Sequence, residues 1–151
     1  MKYERDPHIL TIKNMTETAE KKFRILMIDD DPDMCQLIKH SLELGGRYKV
    51  LIAHGGNIGT WLASCKWHKP NLILLDIKMP GMDGFQVLEK IRALPQTRYV
   101  PVIMFTSFDD PAFKIKAEGL YCDGCVLKSE STEVLKGKIE EVLKNRGLLE
   151  D

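Results

Sequence analysis

From Phe23 onward, short apolar runs alternate with segments whose apolar residues recur every three or four positions. Ile25-Leu26-Met27-Ile28, Leu72-Ile73-Leu74-Leu75 and the Val100 to Phe105 run are nearly continuous in apolar character, as in strands of a parallel sheet covered on both faces. Tyr48 to Ala53 predicts a further strand, and Cys125-Val126-Leu127 a short last one. Between them lie helical patterns. Asp31-Pro32-Asp33 offers an N-cap with proline in the first turn, followed by Met34, Leu37, Ile38 and Leu42 at helical spacing. Gly45-Gly46 ends that run. Asn57 to about Cys65 is a weaker helix interrupted by Gly59. Gly84 to Leu94 carries Phe85, Leu88 and Ile91 on one side, and Pro111 to Glu118 is poorly patterned. Ser131 to Arg146 forms a long last helix with Leu135, Ile139, Val142 and Leu143. The order predicts an α/β fold, five βα units around a five-stranded parallel sheet.

Residues 1–22 fall outside this alternation. They are polar, broken by Pro7, with Ile9, Leu10 and Ile12 as the tight apolar group, and read as a mobile or peripherally docked extension of a domain spanning 23–148. At 151 residues the chain fits one domain, able to bury about two-thirds of its unfolded surface without disulfides or structural metal. Lysines plus arginines equal aspartates plus glutamates, 22 against 22, so no basic excess marks a nucleic-acid surface or a membrane patch. No apolar stretch approaches a bilayer span, and four cysteines suit a reducing compartment, so a cytoplasmic location is expected.

Polar residues close the strands at four points. Asp29-Asp30-Asp31 follows the first, Asp76 the third, Thr106 the fourth and Lys128 the fifth. Strand carboxyl ends meet at one edge of a parallel sheet, where open α/β folds bind ligands. An aspartate there can attack a phosphoryl group and become an acyl phosphate. Charge in that transition state spreads over the equatorial oxygens, so a cation and fixed donors matter more than acid–base work. Carboxylates at two strand ends supply the hard oxygen ligands magnesium prefers. A lysine ammonium and a threonine hydroxyl can meet the phosphoryl oxygens. Each residue alone has a plainer reading: Asp31 as a cap, Asp76 as a solvated strand end, Thr106 as a common strand residue, Lys128 as surface charge. Their joint occurrence favours phosphoryl chemistry.

Ile28-Asp29-Asp30-Asp31-Pro32, Leu75-Asp76-Ile77-Lys78-Met79-Pro80-Gly81-Met82-Asp83-Gly84, the Pro101 to Ser107 segment and Lys128 together resemble the receiver domain of two-component response regulators. The likeness runs from about Phe23 to Leu148, with spacings of 30 (76 to 106) and 22 (106 to 128). The resemblance implies a flavodoxin-like, doubly wound sheet of order 2-1-3-4-5. It implies Asp76 as the phosphorylated residue and Mg²⁺ held by Asp29, Asp30, Asp76 and the Lys78 backbone carbonyl, with Asp30 more direct than Asp29. Thr106 is then the switch hydroxyl and Lys128 the contact to the phosphoryl group. A histidine kinase or histidine phosphotransfer protein is the implied donor, with output through contacts to another protein or a second copy. Beyond self-phosphorylation and autodephosphorylation, no enzymatic activity is implied. The chain stops after the fifth helix, so it reads as a stand-alone regulator or a fragment.

Three positions depart from the family pattern. Ser129 stands where a cis-proline usually follows the lysine, Cys125 where an aromatic usually sits three residues before it, and Tyr121-Cys122 where Gly-Ala usually leads into the last strand. All three lie on the side that transmits the signal. Phe108 or Tyr121 is the candidate replacement for the missing mobile aromatic. A degenerate receiver that binds partners without phosphorylation is one alternative, against which the intact acidic residues argue. A haloacid-dehalogenase-type phosphatase is another, against which Lys78 argues by occupying the place of that family's second aspartate. Cys122-Asp123-Gly124-Cys125 has the spacing of a redox pair or half a zinc site. With no second Cys-x-x-Cys and no thioredoxin-like placement, the sequence favours neither. His8, His40, His54 and His68 show no ligand spacing, and Trp61 and Trp67 are expected to cover core edges.

Overall fold

Five strands and five helices alternate along the computed structural model, which describes residues 21–150. The strands are β1 (Phe23–Ile28), β2 (Tyr48–Ala53), β3 (Leu72–Leu75), β4 (Val102–Thr106) and β5 (Gly124–Leu127); the helices are α1 (Pro32–Glu43), α2 (Gly56–Ser64), α3 (Gly84–Ala93), α4 (Pro111–Gly119) and α5 (Thr132–Asn145). All neighbouring strands pair parallel, in the order β2-β1-β3-β4-β5. The expectations for Ile9, Leu10, Ile12 and the rest of the amino-terminal arm fall on residues 1–20, outside the described residues.

The period of two in the strands sorts their side chains into two cores. Ile25, Met27, Leu72, Leu74, Ile103 and Phe105 face α1 and α5, meeting Ile38, Leu42, Leu135, Ile139 and Leu143. Leu26, Ile28, Ile73, Leu75, Val102 and Met104 face the other way and meet Phe85, Leu88, Ile91 and Ala117 from α3 and α4. Burying each such aliphatic side chain contributes about 1.5–3 kcal/mol, so the short strands are held mainly by packing above and below them. Every residue of β3 is buried, which is why its sequence is apolar without alternation.

Local chemistry sets the helix starts. Asp31 caps α1, its Oδ1 accepting from the Asp33 and Met34 amides at 3.0 and 3.2 Å. Asp83 and Gln86 form a reciprocal capping box on α3, and Ser131 caps α5. Gly59, which the sequence presents as an interruption of α2, is a packing contact: a Cβ there would meet three Ile28 side-chain atoms at 2.7–2.8 Å.

Two expectations change. β4 begins at Val102, not Val100: Pro101 has no amide proton to give, and its carbonyl accepts from Ile73 at 2.9 Å before the strand starts. Trp61 and Trp67 do not cover core edges, being 59% and 77% exposed. The Trp67 ring carries the Lys66 ammonium 4.9 Å from its centroid instead.

Candidate phosphoryl-acceptor site

The strand order reverses direction between β1 and β3, the switch point where open α/β sheets form a crevice at their carboxyl edge. Backbone bonds lock the strand ends around it. Asp29 N–H donates to the Ala53 carbonyl at 3.0 Å, Asp76 N–H to Ile28 at 3.0 Å, and Lys128 N–H to Thr106 at 2.8 Å. Side chains scattered over a hundred residues of sequence are thereby fixed at one edge.

Asp29, Asp30 and Asp76 each present a carboxylate oxygen, all within 4.8 Å of one another. Asp29 is 1% exposed. Its Oδ1 accepts from the Asp31 amide at 2.9 Å; its Oδ2 receives no well-directed hydrogen bond and lies 2.6 Å from Lys128 Nζ. Lys128 Nζ also reaches Asp76 Oδ2 at 3.3 Å, so one ammonium bridges both buried carboxylates. Asp76 Oδ1 accepts from the Ile77 amide at 2.8 Å. Asp30 is exposed, and its carboxylate has no hydrogen bond or ion pair among the described residues.

These contacts set the charges. Burial, then the charge of Asp29, pushes the Asp76 carboxyl up to about 6, against the opposing pull of Lys128 and the Ile77 amide. Burial disfavours the Lys128 ammonium, but Asp29 and Asp76 outweigh it and hold Lys128 above its ordinary range. Three carboxylates around a single ammonium leave excess negative charge, partly desolvated and converging on one point. That donor set fits a hard divalent cation such as Mg²⁺, which takes oxygen ligands and keeps several waters.

The walls are equally specific. The turn after Asp76 runs through Gly81 at φ +79, and Gly84 brings the start of α3 against the Asp76 peptide, its N–H donating to the Ile77 carbonyl at 2.7 Å. The Thr106 hydroxyl accepts from the Phe108 amide at 3.3 Å. Lys78 turns its ammonium onto the Phe108 ring, 3.8 Å from the centroid, and Phe108 packs edge-on against Phe113. Of the two candidate aromatics, Phe108 therefore adjoins Thr106. Tyr121 does not fit: it is exposed before β5 begins, at the opposite end of the strand from Lys128, with its carbonyl held by Arg92. Among the described residues no peptide bond is cis, and after Lys128 the turn through Ser129 is closed by Glu130, whose side chain accepts from the Leu127 amide at 3.1 Å.

Two supports of the site carry no sequence signal. The Cys35 thiol donates to the Asp29 carbonyl at 3.5 Å, and His54 Nδ1 lies 3.2 Å from the same oxygen. Each comes from a separate element and becomes visible only when β1, β2 and α1 are assembled.

Residues 25–140 match the model of the response regulator receiver domain. The chain is 33% identical over 120 residues to Protein PilH of Pseudomonas aeruginosa, covering 80% of this chain and 97% of that protein. It is 34% identical over 121 residues to the transcriptional regulator RpaA of Synechocystis, covering 80% of this chain and 49% of that one. Several other curated relatives are likewise spanned for half their length or less. A receiver domain structure from Methanospirillum hungatei superposes with a TM-score of 0.77 at 30% identity, over 84% of this chain and 98% of that one. The chemotaxis protein CheY4 of Vibrio cholerae gives 0.75 at 26% identity, over 82% and 100%. The chain belongs to the response regulator receiver family.

Proposed function

We propose that Asp76 is the phosphoacceptor of this receiver, taking its phosphoryl group from the phosphohistidine of a histidine kinase or histidine phosphotransfer protein, in the cytoplasm. The observation that carries the assignment is the shared ammonium: Lys128 sits 3.3 Å from Asp76 Oδ2 and 2.6 Å from Asp29 Oδ2, with three carboxylates grouped within 4.8 Å. An Asp76 oxygen attacks phosphorus as the phosphorus–nitrogen bond breaks, and the imidazole leaves with the electron pair and takes up a proton. The product is an acyl phosphate. Lys128 neutralises charge on the transferred group, and the Thr106 hydroxyl exchanges its acceptor role toward Phe108 for donation to a phosphoryl oxygen. Mg²⁺, held by Asp29, Asp30, Asp76 and the Lys78 carbonyl, supplies charge neutralisation and orientation. Output runs through protein contacts of the Phe108 segment and α4, and residues 1–22 form an extension of the 23–148 domain.

Incubation with Mg²⁺ and acetyl phosphate is expected to add the mass of one phosphoryl group, mapped to Asp76, and Asp76→Asn to abolish it. Labelling that survives in Asp76→Asn assigns the acceptor elsewhere; a wild type that never labels favours a phosphorylation-independent binding module.

The metal ligands should rank unequally. Asp29 already serves the Asp31 amide and Lys128, whereas the Asp30 carboxylate is uncommitted. Asp30→Asn should raise the Mg²⁺ Kd more than Asp29→Asn, by on the order of tenfold, equivalent to about 1.4 kcal/mol. Calorimetric titration of the two variants checks this, and equal dissociation constants would refute the ranking.

A further inference from the structure

The turn between α4 and β5 carries two cysteines that the phosphoryl site does not use. Tyr121, at φ +63, reverses the chain so that the Cys122 amide closes the end of α4 on the Ala117 carbonyl at 3.0 Å, while the next amide, Asp123, opens the strand pairing on Val102 at 2.8 Å. Asp123 between the cysteines is clamped from three directions. Its Oδ2 accepts from Arg92 Nη2 at 3.1 Å and from the Val102 amide at 2.9 Å, and its Oδ1 from Arg146 Nε at 2.9 Å. The two thiols on either side of this fixed residue pack half-buried against the same core cluster, close enough to influence each other's ionisation. Cys125 also opens onto a cavity of about 250 Å³ shared with Thr106, Phe108 and Lys114.

We propose that Cys122 and Cys125 are an oxidisable dithiol, a modification site at which hydrogen peroxide converts the pair to a disulfide, with Cys125 attacking and Cys122 resolving. The geometry supplies what the spacing alone does not: two half-buried thiols packed on one core cluster, a turn held rigid by Arg92 and Arg146 on the residue between them, and a cavity lined by Cys125. The cavity at Cys125 and the electrostatics both favour Cys125 as the attacking thiol. The Cys122 hydrogen bond, helped by Lys114 and Lys138 and opposed by burial and Glu118, brings the Cys125 thiol down to about 7, while that same bond and burial push Cys122 up. Cys125 is then substantially thiolate near neutral pH, the form that reacts. Cys35, by contrast, is sealed in the core with its thiol pushed up to about 12 by burial and Asp29.

The steps balance. The Cys125 thiolate attacks one peroxide oxygen, the oxygen–oxygen bond breaks, and the departing hydroxide takes a proton to become water. Cys125 is now a sulfenic acid. Cys122 loses its proton as its sulfur attacks Cys125, the sulfur–oxygen bond breaks, and the departing hydroxide takes that proton as a second water. Two thiols have given two electrons to one peroxide.

The reduced full chain, treated with peroxide at pH 7.5, alkylated and peptide-mapped, should lose two alkylatable thiols and yield a 122–125 cross-link. Cys122→Ser should stop at a dimedone-reactive sulfenic acid on Cys125, and Cys125→Ser should react slower by on the order of tenfold, with Cys122 as the poorer nucleophile. Circular dichroism of both variants confirms that they fold. A wild type that keeps all four thiols at peroxide levels that oxidise glutathione overturns the proposal. So does a Cys125→Ser variant that oxidises as fast as wild type, or oxidation confined to Cys65. The chemistry is independent of phosphorylation, so Asp76→Asn should oxidise like wild type.

Discussion

Replacing Gly84 with alanine is expected to lower stability by about 3 kcal/mol, the upper range for forced overpacking, and to weaken Mg²⁺ binding with it. A Cβ at Gly84 would sit 2.1 Å from the Asp76 carbonyl oxygen, 2.8 Å from Ile77 Cα and 2.9 Å from the Asp76 carbonyl carbon. All three atoms are backbone, so no rotamer change relieves the clash. The start of α3 must back away, which breaks the 2.7 Å bond from Gly84 N–H to the Ile77 carbonyl. It also disturbs the peptide whose amide orients Asp76 Oδ1. Gly45→Ala is the matched control: its Cβ meets nothing within 4 Å and its φ is not positive, so it should be near neutral. Urea unfolding of both variants measures the difference. A Gly84→Ala chain within about 1 kcal/mol of wild type, the scale of a tolerated core swap, would show that α3 does not press on the acceptor loop.

How much of this was legible beforehand depends on the range of the interaction. The strands of the central sheet could be read because Leu72 to Leu75 must be apolar on both faces, a constraint that acts residue by residue. The cap at Asp31 is likewise local, spanning three residues. The four site positions could be placed together since parallel strands share a carboxyl edge, and the structure does bring Asp29, Asp76 and Lys128 into contact. What escaped was set by distant partners. Gly59 looked like a break in α2 because its reason, Ile28, lies thirty-one positions earlier. The start of β4 falls later than its apolar run because Pro101 has no amide proton to give and the first strand amide, Val102, is taken by Asp123, twenty-one residues later. Trp61 and Trp67 are expected at core edges, but nothing near them in sequence says that Trp61 on α2 and Trp67 in the turn beyond it face outward.

Removing the Lys128 ammonium and removing the Asp76 charge should shift stability in opposite directions, a result that a purely structural role for either residue does not produce. Lys128→Met leaves two buried carboxylates, Asp29 and Asp76, facing each other without their cation. Breaking a buried ion pair on one side costs about 3–5 kcal/mol, and a loss near the lower figure is expected at pH 7.5 in the absence of Mg²⁺. Asp76→Asn removes one of the repelling charges and keeps an oxygen for the Ile77 amide. With the Asp76 carboxyl pushed up to about 6 by burial and Asp29, ionised Asp76 opposes folding. At about 1.4 kcal/mol per pKa unit, that opposition amounts to roughly 3 kcal/mol at most. The sign follows from proton binding. Between about pH 4 and pH 6 the folded chain holds a proton on Asp76 that the unfolded chain has lost, so stability falls as pH rises through that window and the penalty is complete above it. Asp76→Asn should therefore melt higher than wild type at pH 7.5 and match it near pH 4. The deficit of Lys128→Met should shrink at pH 5, where Asp76 takes up a proton, and shrink again at pH 7.5 when Mg²⁺ replaces the missing cation. Thermal melts of the three chains at pH 4, 5 and 7.5, with and without Mg²⁺, carry the test. If Asp76→Asn is destabilising at pH 7.5, or if Mg²⁺ leaves Lys128→Met unchanged, the carboxylates are not competing for one cation and the electrostatic basis of the acceptor site fails.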